Sequence, residues 1–292
     1  MLKGRLGLET ARVPHKDRHG LLWLRNGQLA VRDGTLVFRT FGGDDLPEGS
    51  YDIPFQAVSC VVLEPGTSVT HDALRLLARH GTGLVASGSD GVRHYASMPF
   101  GPDASAIARR QVDLWSNRDL RIEVVRRMYG LRLGEVFPGT DLEAMRGMEG
   151  ARARKMYQTL ARQFGVTWKG RAYDRSNPSA NDDVNNAINH ASTAVVAAAC
   201  VATAAVGALP QLGFIHEDSG VSFCLDVADL FRDAITLPAA FAAVRDLQTA
   251  QGDLERHVRR RVGRLLVERD AIATMIQRIK EVLRVDDGRG DP

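Results

Sequence analysis

Cysteine is scarce. The three in the chain, Cys60, Cys200 and Cys224, are far apart and outside any CxxC or Cys/His pattern. That spacing argues against a disulfide framework and a structural zinc site, and it suits a reducing compartment. The first twenty residues hold no uninterrupted apolar run, because Lys3, Arg5, Glu9, Arg12, Lys16 and Arg18 break it up. A secretory leader is therefore not expected, and the cytoplasm is. Ala191 to Leu209 carries no charge and approaches the roughly 20 residues that span a bilayer. It is nevertheless rich in alanine and threonine, lacks a basic flank, and follows Asn185, Asn186, Asn189 and His190. It is expected to be the central helix of a helical domain, with neighbours approaching its small side chains closely and no membrane partner. Internal repeats and low-complexity tracts are also missing, which argues against solenoids and propellers.

An excess of one charge sign is absent too, since the formal net charge is only +3. Whether a polyanion binds then depends on local clustering. Arginines gather at Arg109, Arg110, Arg118, Arg121, Arg126 and Arg127, and again at Arg256, Arg259, Arg260, Arg261 and Arg264. Such clusters suit either a phosphate backbone or the solvated faces of helices. With 44% hydrophobic and 25% charged residues, the 292-residue chain has globular composition and enough length for two cores.

The expected architecture is α+β, with a small N-terminal β-sheet or β-sandwich domain followed by an all-α catalytic domain. Short strands alternate with turn signals at Asn26-Gly27 and Asp33-Gly34, each read as a hairpin in an antiparallel sheet. Thr70 to Arg79 reads as a helix capped by Thr70. After Pro99-Phe100-Gly101-Pro102 the apolar period becomes helical. This divides the chain into residues 1–98, residues 99–285 and a frayed tail, 286–292. A single last helix is expected from Leu254 to Val285.

Three local features could carry chemistry. Glu149 lies between Gly147 and Gly150 in a helical stretch, where each glycine costs about 1 kcal/mol relative to alanine. Such glycines allow close approach of a backbone or phosphate, or they mark a weak surface helix. His216 follows Gly213-Phe214-Ile215 at the exit of the long alanine-rich helix, placed as a ligand or general base, or as a hydrogen-bonded structural residue. Asp226 and Asp229 are three residues apart at the expected start of a helix, so they share a face. They suit either N-terminal capping or a divalent cation that relieves their repulsion. This donor set fits Mg2+ or Mn2+ better than structural zinc.

At six ordered stretches the chain resembles the CRISPR-associated endonuclease and integrase Cas-one family, in its type I-E form. They are Leu63-Glu64-Pro65-Gly66-Thr67; Gly91-Val92-Arg93 with Tyr95-Ala96-Ser97; Arg146-Gly147-Met148-Glu149-Gly150; Gly165-Val166-Thr167-Trp168 with Gly170-Arg171 and Tyr173-Asp174; Gly213-Phe214-Ile215-His216; and Ser222-Phe223 with Asp226-Val227-Ala228-Asp229. The resemblance implies that Glu149, His216 and Asp229 are catalytic and bind Mg2+ or Mn2+, with Asp226 as an accessory carboxylate. It also implies DNA contact by Arg93, Arg146, Arg171 and Tyr173. The activity implied is joining of 3′-hydroxyl ends of short captured DNA fragments into the CRISPR repeat by phosphodiester transesterification. A homodimer and a small companion protein bridging two homodimers are the implied partners. A hydrolytic metallonuclease or a non-catalytic DNA-binding assembly module would use the same residues differently. Two departures stand out. Glu217-Asp218-Ser219 puts two acids after the histidine, and Asn26 occupies a turn where relatives can present an aromatic.

Overall fold

The computed structural model describes residues 19–43, 46–97, 105–134, 142–172, 181–248 and 252–285, without the side chains of 19, 142–144, 146, 148 and 149. The expected boundary at Pro99 to Pro102 and the tail 286–292 lie outside the described residues. A strand-rich N-terminal part precedes a helical part, as the α+β reading anticipates.

Two four-stranded sheets make up the first part. One contains β1 (His19–Leu24), β5 (Val58–Leu63), β7 (Gly83–Ser87) and β8 (His94–Ser97) in that order, parallel except for the last pair. The other runs β4 (Gly49–Ile53), β3 (Thr35–Thr40), β2 (Gly27–Arg32), β6 (Thr67–Val69), with β6 parallel to β2 and the remaining pairs antiparallel. The sheets are therefore mixed, not simply antiparallel.

One of the two expected hairpins forms. Asp33 and Gly34, at φ 52° and 78°, make a two-residue loop that pairs Arg32 with Thr35. Asn26 also has positive φ, 52°, but it turns the chain from one sheet into the other. Gly27 is needed there because a Cβ would stand 2.4 Å from the carbonyl oxygen of Arg39. Positive φ permits a sharp corner. It does not dictate that the flanking strands pair.

Helix α1 (His71–His80) starts at Thr70, whose hydroxyl accepts from the Ala73 amide at 3.3 Å. With α1, the facing sheets bury Leu29, Leu36, Phe38, Val61 and Leu77. Strand β5 is buried along its whole length. Its Val61 and Leu63 belong to this inter-sheet core, while Cys60 and Val62 join the core of the helices.

The helical part comprises α2 (Ala106–Ser116), α3 (Arg118–Leu133), α4 (Leu142–Phe164), α5 (Asp183–Val206), α6 (Ser222–Asp229), α7 (Leu237–Leu247), α8 (Leu254–Glu268) and α9 (Ala271–Leu283). The single helix expected from Leu254 to Val285 is thus broken, at Asp270, which takes φ 44°. Helix α5 is capped by Asp182 and packs against α6, α7, α8 and α9 as well as β7 and β8. By length and composition it could cross a membrane, but its alanines, Ala191, Ala194, Ala198, Ala199 and Ala202, are buried among those neighbours.

Candidate active site

The loop from α5 to α6 holds His216, and side chains of α2 and α3 brace it. Gln111 of α2, fully buried, donates to the carbonyls of Leu209 and Leu212 and accepts from the Leu209 amide, all at 2.8–2.9 Å. Trp115 Nε1 donates to the Gly213 carbonyl at 2.9 Å. Arg121 of α3 lies over the Trp115 ring and donates twice to the Phe214 carbonyl, at 3.1 and 2.9 Å. Arg121 also pairs with Glu217, so one of the two acids after the histidine is neutralised, while Asp218 is exposed. Gly213 has no room for a side chain, since a Cβ would come 2.3 Å from the His216 carbonyl oxygen and 2.8 Å from Ser222.

Asp226 and Asp229 do not sit at the start of a helix as expected. Helix α6 begins at Ser222, so both lie in its C-terminal half, with Asp229 last. The favourable N-terminal dipole therefore does not account for them. Asp226 is 0% exposed and its two oxygens receive four donors: the amides of Phe214 (2.5 Å), Ile215 (3.0 Å) and His216 (3.0 Å), and the ring Nδ1 of His216 (2.7 Å). That bond fixes the ring and directs Nε2 to Asp229 Oδ2, 3.9 Å away. Asp229 is balanced at the helix end by Arg232 one turn on, with Nη1 3.2 Å from Oδ1. Arg232 also donates to the Tyr157 hydroxyl at 2.7 Å. Burial opposes the Arg232 charge, but Asp229 and Tyr157 outweigh it and hold the guanidinium above its usual basicity.

Asp229 lies between two cavities. One, of about 270 Å3, is lined by Met128, Tyr129, Arg132, Ile215, His216, Asp226, Asp229 and Leu230. The other, about 640 Å3, contains Arg154, Lys169, Arg171 and Arg232 together with Gly150, Tyr157 and Trp168. Arg171 is oriented there by Asn185 Oδ1 at 2.9 Å and Asn189 Oδ1 at 2.5 Å. Four cations in one groove beside an acid and an imidazole form an anion-receiving surface.

The structure thus brings His216, Asp226 and Asp229 together and sets Arg171 in the adjoining groove. Arg93 lies apart from both cavities, paired with Glu255 of α8 at 2.7 Å. Glu149 and Arg146 are on α4, with side chains outside the described residues, as is Tyr173. Gly150, next to Glu149, lines the same groove as Asp229. Among the described residues no group of three His, Cys, Asp or Glu side chains forms a metal cluster. The His216–Asp229 pair offers imidazole and carboxylate donors of the kind Mg2+ or Mn2+ accepts. Arg232 is a residue the sequence reading missed, although its three-residue spacing from Asp229 was a usable signal. Tyr157, Gln111 and Trp115 carried no local signal, whereas Arg121 was visible as a member of the first arginine cluster and is found bracing the Phe214 carbonyl and Glu217.

A two-sheet sandwich set against helices, with an acid and imidazole cluster held among the helices, is the Cas1 class of fold. Residues 130–281 match the family model described as CRISPR associated protein Cas1. The CRISPR-associated endonuclease Cas1 of Escherichia coli (strain K12) is 38% identical over 272 residues, 93% of this chain and 87% of the relative. A solved TtCas1–DNA complex superposes with TM-score 0.81 at 32% identity, covering 94% of this chain and 99% of that one. A casposase bound to integration product shares the fold, with TM-score 0.62 at 13% identity over 91% of this chain and 96% of that one. The chain belongs to the CRISPR-associated endonuclease Cas1 family.

Proposed function

We propose that the chain is a cytoplasmic, divalent-metal-dependent DNA endonuclease and integrase of CRISPR spacer acquisition, of the type I-E form. Its reaction joins the 3′-hydroxyl ends of short DNA fragments into the CRISPR repeat by phosphodiester transesterification. The observation that carries this reading is the His216 ring, fixed by buried Asp226 and facing Asp229 at the edge of a groove lined by four cations. The DNA held by the similar TtCas1 supports the substrate class.

One phosphodiester replaces another in this reaction, so alignment and charge stabilisation are most of what the protein must supply. Arg154, Lys169 and Arg171 bind phosphates, Asn185 and Asn189 pre-set the Arg171 guanidinium, and Arg232 holds Asp229. Asp226 acts through His216, holding Nδ1 so that the Nε2 lone pair faces the reacting side. Glu149, His216 and Asp229 would hold Mg2+ or Mn2+, which when bound polarises the phosphate. The acting unit is a homodimer, two of which flank a small companion protein.

The test supplies linear DNA with and without a free 3′-hydroxyl to the protein, its companion and a repeat-bearing plasmid. Joining should require both the hydroxyl and Mg2+ or Mn2+. It should be lost in His216→Ala and Asp229→Ala while DNA affinity is retained. Undiminished joining in both variants would overturn the reading.

A further inference from the structure

We propose that Tyr157 and Arg232 are positioning residues that together determine which oxygen of Asp229 is offered to a bound divalent cation. The inference rests on Asp229 being a metal ligand, as argued above.

Arg232 has only donors, so the contact at 2.7 Å makes the Tyr157 hydroxyl an acceptor and occupies one end of the guanidinium fork. The other end holds Asp229 Oδ1 at 3.2 Å. Oδ1 is thereby committed to Arg232, and Oδ2 is the oxygen turned to His216 Nε2. A guanidinium held at one end only would leave the carboxylate able to rotate about its last bond and exchange its oxygens. Tyr157 provides the second anchor.

The anchor is itself rigid. Tyr157 is 5% exposed and its ring stacks on Trp168 at 4.9 Å and 12° between planes, while Trp168 meets Phe241 of α7 edge-on at 5.9 Å. Between Asp229 and α7 the chain makes a π-helical turn, Arg232–Thr236. Such wide turns are uncommon and recur at functional sites. This one carries Arg232 into the groove that Tyr157 lines. A continuous series of contacts therefore runs from the packed aromatic cluster through Tyr157 and Arg232 to Asp229, opposite the Asp226 support of His216.

Tyr157→Phe decides the matter, because it removes one oxygen and keeps the ring stack. Mn2+ affinity of the full chain is measured by calorimetry, DNA joining by kcat and KM, and folding by thermal melting. Partners around metal ligands change affinity or activity by 10–100-fold. Tyr157→Phe should therefore weaken Mn2+ binding and lower kcat by about tenfold, with the KM for DNA and the melting temperature nearly unchanged. Arg232→Lys keeps a cation but loses the fork, and should weaken Mn2+ binding likewise. Mn2+ affinity and kcat of Tyr157→Phe within twofold of wild type would overturn the inference alone. Loss accompanied by a matching fall in melting temperature would reduce Tyr157 to a packing residue and overturn it as well. Asp229→Ala that binds Mn2+ and joins DNA normally would instead remove the parent reading, and this inference with it.

Discussion

At the scale of single residues, the site depends on close approach as much as on charge. Gly213 lets the histidine loop lie against the start of α6, where any Cβ would collide with backbone. Gly213→Ala is expected to cost about 1–3 kcal/mol through overpacking. It should also move His216 off Asp226, so activity should fall further than the drop in thermal stability alone would produce. Melting curves beside joining assays check this. Cys60, by contrast, is a silent residue: burial pushes its thiol up to about 12, which fits a small core side chain and no reactive role. The sequence made Glu149, His216 and Asp229 visible as residue types suited to a cation. Their supports were less visible. Arg232 lies within one helical turn of Asp229, whereas Tyr157 reaches Arg232 across 75 positions and Gln111 reaches Leu209 across 98. No local pattern encodes such pairings.

At the scale of elements, caps and periodicity were legible, and connections were not. Thr70, Asp182 and the Asp33-Gly34 turn act as their chemistry suggests. Asn26-Gly27 does not, because β1 pairs with β5, and the turn serves to leave the sheet. Helices α7 and α8 are joined by Asp246, which receives Arg261 and Arg245. Burial works against the Asp246 charge, but the two guanidiniums more than offset it and hold the carboxyl below its ordinary value. A depressed folded-state value stabilises the protein above the unfolded carboxylate range and loses that contribution as the pH falls through the folded value. Asp246→Asn should therefore cost up to about 1 kcal/mol at pH 7, given the solvent screening of such pairs. The gap between variant and wild type should close in acid, as seen in melts taken from pH 7 down to pH 2. A gap that widens in acid would contradict this account. Helix α5 supplies a steric counterpart. Ala198, 0% exposed, faces packed neighbours, and Ala198→Leu should destabilise by about 1–3 kcal/mol on chemical denaturation.

At the scale of the whole molecule, the modest net charge of +3 conceals an uneven distribution, with Arg154, Lys169, Arg171 and Arg232 gathered in one groove. DNA affinity should accordingly fall steeply as salt rises, with a slope on a log–log plot of about −0.9 per phosphate contacted. Neutralising Arg154 or Lys169 should flatten that slope by about one. The α+β order was legible because the apolar period changes along the chain, but the way the two parts meet was not. That meeting falls on β5, whose side chains are divided between two interiors. The strand acts as a party wall. Removing the helices would leave Cys60, Val62 and Val85 facing water, and removing the sandwich would strip α5 of a flank. The halves should therefore denature as one cooperative unit in a calorimeter, and a fragment ending near residue 98 should aggregate when expressed alone.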